Sequence, residues 1–389
     1  MFMVRIYRKE NLPAIYKVMG YAFNQNRATI DENIKRDHVN DNEIFFVDEN
    51  EDKVITASVA LITYDVNFNG NIVKFGGIAG VSSLPEYRDK GNIKNIMKYI
   101  LNYMHENGYI LSGLGPFAYE YYRKFGYEWA FFMKIVVLPL DMLKSFPKAT
   151  KYVRFYREDS NITESFRNEF CKSLNGPLVR NSQVIKDTWD RYENTNSYVY
   201  GAYDGDKLVS YMVYNIQGKK IYVNEIYFDN ELHRQYLLSF LYSHRSCCNE
   251  VELILTSDDE IRLIMPTPRF NVGAWANKAG RVVDVIKAFE MIKPAKITNQ
   301  SFTIKINDEC APWNDGIYKV KVRDFLQATK LEHTKKADFE IDINRLSQLV
   351  YGFIDSNQAI KHNLVKINKY KPCFLYAFPK HETMLWQEF

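Results

Sequence analysis

Long apolar runs are missing from this sequence. No stretch of its 389 residues is apolar for long enough to span a bilayer. The opening Met1-Phe-Met-Val-Arg-Ile-Tyr-Arg lacks the basic, apolar and small-residue succession of a secretory leader. Cysteine is scarce: Cys171, Cys247, Cys248, Cys310 and Cys373 are odd in number and contain no Cys-x-x-Cys pair. That argues against a disulfide framework or a zinc site and predicts reduced thiols in a cytoplasmic protein. The seven histidines are scattered with no His-x-x-x-His pair, so no metal is expected. A net charge of +4 gives no basic block of the kind that binds nucleic acid.

What is present is a globular composition, 46% hydrophobic and 25% charged, in a chain long enough for two or three domains. Its 28 tyrosines and 25 phenylalanines point to aromatic cores and pockets. Asn11 and Pro13 open a helix carrying Ile15, Val18, Met19, Ala22 and Phe23 at helical spacing. Strands are predicted at 44–47 and 54–64, and Asn69-Gly70 turns the chain into a returning strand at 72–81. Residues 91–107 repeat apolar side chains every three or four positions, which predicts an amphipathic helix stopped by Gly108. A strand at 109–114 and a short helix at 118–124 follow.

That order nearly recurs. Hairpin strands at 198–203 and 208–216, a strand at 221–228, a helix at 232–244 and a strand at 251–255 form a second copy of the unit. The last hundred residues differ, with strands at 302–306 and 316–322 and a helix at 344–353. The expected class is therefore α/β (α+β), with two related domains at 1–145 and 146–282 and a third, α+β domain at 283–389.

The most informative stretch runs from Val81 to Lys94. A buried strand ends at Val81-Ser82-Ser83, a turn holds Pro85, and Arg88-Asp89-Lys90-Gly91 opens the helix through Asn92, Ile93 and Lys94. The free amides of a helix's first turn, with its partial positive charge, can hold a pyrophosphate. Gly91 leaves room for the phosphates to approach. Arg88, Lys90 and Lys94 add positive charge, although Lys90 and Lys94 read equally well as solvated helix residues.

Arg88-x-x-Gly91 after a strand resembles the Arg/Gln-x-x-Gly-x-Gly/Ala loop of the GNAT acetyltransferase superfamily. Ile93 stands where that family has a further small residue. Tyr122-Arg-Lys-Phe125-Gly126-Tyr127 resembles the family's Tyr-x-x-Phe-Gly-Tyr/Phe element. Over the whole chain the sequence is similar to the Eis (enhanced intracellular survival) family, in which tandem GNAT domains precede a sterol-carrier-protein-like domain. The resemblance implies an acetyl-CoA-dependent N-acetyltransferase whose cofactor residues are Val81 to Ser83 and Arg88 to Lys94. In the second copy His233 to Leu238 offer no glycine, which implies a degenerate site.

The resemblance also assigns roles. Tyr122 matches the general acid, and a tyrosine of ordinary pKa, about 10, can donate a proton at neutral pH. On the residues alone it reads as core packing. The C-terminal carboxylate of Phe389 matches the general base, and burial would raise its pKa toward that role. Against a frayed terminus stand the apolar Met384, Leu385 and Trp386. Glu388 reads as a neutraliser of a cationic substrate or as a rim charge. The implied partner is a small polycationic amine such as an aminoglycoside, with no nucleic acid, membrane or metal, and the implied assembly is a homo-hexamer. Protein lysine, peptide or polyamine acceptors remain open, as does a lipid or acyl-chain binding protein.

Overall fold

Branched and aromatic residues at alternating positions build a sheet from the start of the chain. The computed structural model describes residues 3–7, 12–36, 42–332 and 336–387. Strand β1 (Met3–Tyr7) leads to helices α1 (Leu12–Ala22) and α2 (Arg27–Arg36), then to β2 (Glu43–Glu49), β3 (Ile55–Phe68) and β4 (Asn71–Ser83). Pro13 lies in the first turn of α1, where its missing N–H removes no helical bond; Asn11, expected to cap it, lies outside the described residues. Asn69 and Gly70 join β3 to β4 with φ of 48° and 75°, the pair of positive angles a two-residue hairpin of this twist requires.

Next come α3 (Asn92–Glu106), β5 (Leu111–Leu114) and the short α4 (Tyr119–Arg123). Ile96, Met97, Ile100, Leu101 and Met104 of α3 are fully buried in one cluster with Phe46, Val59, Leu61 and Ile78. Burial of such side chains contributes roughly 1.5–3 kcal/mol each, so packing rather than helix propensity holds α3 in place. β5 lies parallel to β4, Phe75 opposite Leu111 and Ile78 opposite Leu114, with α3 as the crossover between them.

The chain divides into two compact units. The first takes in the described residues of Met1–Ala130, Lys278–His381 and Trp386–Phe389. Its larger sheet runs β1-β2-β3-β4-β5 and is extended by the end of strand Asn271–Val282, where Ala279 to Val282 pair antiparallel to β5. A separate five-stranded sheet has the order Leu326–Leu331, Gly316–Val322, Ser301–Asn307, Phe339–Asp342, Lys366–Ile367. Phe302, Phe339, Phe374 and Phe378 pack ring against ring in its core. Helix Ile343–Val350 follows directly on the strand Phe339–Asp342.

The second unit covers Phe131–Asn277 and Glu382–Leu385. Strands Tyr198–Asp204, Lys207–Gln217 and Lys220–Phe228 form an antiparallel meander. Helix Glu231–Tyr242 then crosses over to Glu250–Leu255, which lies parallel to the third strand. The parallel pair with its crossover helix is the feature that the two units share. The fold is mixed α/β, and no helix among the described residues is long and apolar enough to cross a membrane. Cys171, Cys248, Cys310 and Cys373 are buried free thiols and Cys247 is exposed.

Candidate acyl-CoA site

The site starts where β4 leaves β5. Their pairing ends at Ile78 and Leu114, yet β4 runs on to Ser83. The register against β3 shifts between Ser58 and Ala60, a bulge that puts Gly80 at φ 56° and re-aims the end of β4. Beyond Ile78 the edge of β4 turned toward β5 is out of the ladder, and Val81, Ser82 and Ser83 line a cavity there. The Ser82 hydroxyl is shared with that of Ser58 at 2.8 Å, and the Ser83 hydroxyl donates to the Leu84 carbonyl at 3.1 Å. Both serine hydroxyls thus have a partner within the chain.

After a single turn at Pro85–Tyr87 the loop bends twice through left-handed backbone, at Asp89 (φ 61°) and Gly91 (φ 87°). Gly91 precedes α3 and no side chain caps the helix. Asn95 closes the first turn by donating to the Gly91 carbonyl at 3.0 Å, leaving the amides of Asn92, Ile93 and Lys94 without acceptors inside the helix. A Cβ at position 91 would meet nothing within 4 Å, so the space beside Gly91 at the helix start is open. Asn92 turns its amide group inward, donating to Asp48 at 2.7 Å and to Thr56 at 2.9 Å. That bond ties the start of α3 to β2 and β3, and burial pushes the Asp48 carboxyl above its ordinary range.

The cavity has a volume of about 940 Å³, within the range of small-molecule and cofactor sites. Arg88, Lys94, Lys98 and Lys124 stand in its wall against two acids, Asp89 and Glu309, so a polyphosphate meets a net positive wall. Of the cofactor residues expected from sequence, Val81, Ser82, Ser83, Arg88, Asp89, Gly91, Asn92, Ile93 and Lys94 come together here. Lys90 does not line the cavity; its ammonium lies 4.9 Å from the centre of the Tyr87 ring. Sequence reasoning missed Lys98, one turn beyond Lys94, and the aromatic wall of Phe23, Phe117, Tyr121 and Phe125. It also missed Glu309 and Cys310, which arrive from a part of the chain with no local signal for such a role.

Tyr122 stands behind that wall. Its ring meets those of Phe117 and Tyr121, both at 5.3 Å between centroids, and it is buried. Burial, reinforced by Tyr121 and Tyr127, holds its phenol well above the ordinary tyrosine value. It is thus protonated, and a donor, across the neutral range. Tyr127 is locked by a 2.7 Å bond between its hydroxyl and that of Ser112. Arg123 makes a two-pronged pair with Glu128, both bonds 2.9 Å.

The second unit fills the equivalent helix start with its own side chains. Asn230 caps helix Glu231–Tyr242 by accepting from the His233 amide at 3.1 Å, and Asp229 bonds the His233 ring. His233 to Leu238 lie inside the helix. A cap and a carboxylate thus occupy the place where an anion would sit.

Glu388 and Phe389 lie outside the described residues. In the second unit, Met384 donates to the Asn175 carbonyl at 2.9 Å and Thr383 bridges Asn175.

Residues 3–130 match the family described as acetyltransferase (GNAT) domain, and residues 176–285 match a second family of the same description. Residues 282–377 match the sterol carrier protein domain. The chain is built of two GNAT domains and a C-terminal sterol-carrier-like domain. GNAT domains use acetyl-CoA as co-substrate. No curated protein matches the sequence. Among solved structures, a conserved Enterococcus faecalis protein described as a probable N-acyltransferase superposes with a TM-score of 0.89 at 22% identity. The GCN5-related N-acetyltransferase of Anabaena variabilis gives 0.86 at 19%, and Eis1 of Mycobacterium abscessus gives 0.80 at 15%. Each match covers 100% of both chains. At these identities the likeness establishes an Eis-like fold.

Proposed function

We propose that the chain is an acetyl-CoA-dependent N-acetyltransferase with one working site, in the first GNAT domain, acting on amines of a small polycationic acceptor of the aminoglycoside kind. The observation that carries the reading is the cavity at the uncapped start of α3, with open space over Gly91 and Arg88, Lys94, Lys98 and Lys124 around it. Amides of the first turn would hold the pyrophosphate, and the freed edge of β4 would hold the pantetheine arm and polarise the thioester carbonyl. Acetyl-CoA supplies the activated acyl group.

In direct transfer the amine nitrogen bonds to the carbonyl carbon and the carbon–sulfur bond breaks. Tyr122 donates its proton to the departing sulfur, and the Phe389 carboxylate takes the proton released by the amine. The resemblance to Eis extends this reading to a cytoplasmic hexamer with domains at 1–145, 146–282 and 283–389. The sterol-carrier match favours a second reading, lipid or acyl-chain binding by the C-terminal domain. The packed rings of Phe302, Phe339 and Phe374 in that domain's core weigh against it.

A thiol-release assay with acetyl-CoA tests the proposal against an aminoglycoside, a polyamine and a lysine peptide. Release with the aminoglycoside is expected. Release confined to the polyamine or the peptide reassigns the acceptor, and release with none of the three removes the enzyme reading.

A further inference from the structure

The segment that follows Tyr122 is tied by its carbonyls to residues late in the chain. Five of its backbone carbonyls, those of Arg123, Lys124, Phe125, Tyr127 and Trp129, accept bonds from residues beyond 280. Asn344 donates to the Arg123 and Tyr127 carbonyls, both at 3.0 Å. Gln348 donates to the Trp129 carbonyl at 2.7 Å, and the Cys310 thiol to the Lys124 carbonyl at 3.4 Å. Arg281 donates to the Phe125 carbonyl. The local sequence supplies little that could take their place, since α4 is only five residues long.

Arg281 is the centre of this arrangement. It is fully buried and makes a two-pronged pair with Asp308 at 2.8 and 2.7 Å. Gly126, at φ 83°, lies so close that any side chain there would run into the guanidinium. Asp308 in turn accepts from the amides of Cys310 and Ala311 at 3.2 and 3.1 Å. One ion pair therefore joins two adjoining parts of the cavity wall, Lys124 and Phe125 with Glu309 and Cys310. A buried pair adds little net stability, because desolvation offsets most of the attraction. Its yield here is geometric.

We infer that Asp308 and Asn344 of the C-terminal domain, with Arg281 at the end of the strand that leads into it, are positioning residues that set the placement of Tyr122 and the width of the acyl-CoA cavity. The inference rests on the reading of that cavity as the acetyl-CoA site. It also gives the sterol-carrier-like domain a task in transfer that needs no lipid.

The test pairs two variants with wild type. Arg281→Met with Asp308→Asn removes both charges together and leaves an oxygen at 308 for the Cys310 and Ala311 amides. Asn344→Ala leaves the buried pair intact. Parameters are corrected for folded fraction by circular dichroism, so that loss of stability alone moves nothing. The double variant is expected to raise the KM for acetyl-CoA about tenfold, and Asn344→Ala to lower kcat by about 10- to 100-fold with that KM nearly unchanged, as misplacement of a reacting group does. If the double variant does not fold, Asn344→Ala decides alone. Active wild type with unchanged variants overturns the inference. Wild type that neither binds acetyl-CoA in calorimetry nor releases thiol overturns the reading beneath it, and the inference with it.

Discussion

Tyr121 and Tyr122 are neighbours in α4, about 100° apart around the helix axis, and the structure gives them different surroundings. Tyr121 lines the cavity, while Tyr122 lies behind it against Phe117 and Tyr121. In the proposed role of general acid Tyr122 would have to keep its proton until the leaving group needs it, and burial favours this by disfavouring the phenolate. Tyr122→Phe keeps the ring packing and removes the donor. It is expected to lower kcat by about 10²- to 10⁴-fold while leaving the KM for acetyl-CoA within about twofold of wild type. Tyr121→Phe is the control. Steady-state kinetics showing that Tyr121→Phe, and not Tyr122→Phe, abolishes turnover would move the acid by one residue.

Between elements, the contrast lies in two helix starts that follow the same kind of strand. α3 begins at Gly91 without a cap, and helix Glu231–Tyr242 begins with Asn230 as its cap. Gly91→Val places a Cβ in left-handed backbone, which costs about 1–2 kcal/mol, and aims it into open space where the phosphates would lie. Asn230→Ala loses a cap worth about 1 kcal/mol at a helix start already closed to anions. Urea unfolding should show similar losses for the two variants, while calorimetry shows acetyl-CoA binding lost in Gly91→Val alone. Weakened binding in Asn230→Ala would contradict the view that the second domain is blind to the cofactor.

The elements also differ in how much of them the sequence reveals. α3 is legible because Ile96, Met97, Ile100, Leu101 and Met104 repeat on one face, and the hairpin because Asn-Gly tolerates two positive φ angles. The strand Glu128–Pro139 has no such signal. Its run of apolar residues has no clear alternation, and such a run suits a strand or a buried helix equally well. The strand Asn271–Val282 is equally silent, since Ala279 to Val282 pair with residues some 170 positions earlier. In the site, Arg88 to Lys94 announce themselves through glycine, charge and position before a helix. Glu309 and Cys310 do not, because they reach the cavity through tertiary contacts without a local pattern, among them the Arg281–Asp308 pair beside them.

For the molecule as a whole, the tyrosines set an alkaline limit. Burial pushes the Tyr127 phenol up to about 12, and holds those of Tyr192, Tyr211, Tyr227 and Tyr351 above the ordinary value as well. Tyr192 and Tyr227 have the Glu225 carboxylate beside them as a further cause. A pKa raised in the folded state means that the folded protein holds the proton more tightly than the unfolded chain, where it leaves near pH 10. The stabilisation is complete below that pH and is lost as pH rises from there toward the folded values. Each such tyrosine gives up about 1.4 kcal/mol per pH unit over that window. Tyr127 and Tyr351 act in the first unit, and Tyr192, Tyr211 and Tyr227 in the second. Each unit is therefore expected to lose stability steeply above about pH 10 and to unfold at alkaline pH. Phenolate absorbance at alkaline pH, followed together with far-ultraviolet circular dichroism, should show an early partial rise with the fold intact, then a steep second rise coincident with unfolding. A single wave of ionisation by all 28 tyrosines with the dichroism unchanged would show that these phenols are not as buried as the structure places them.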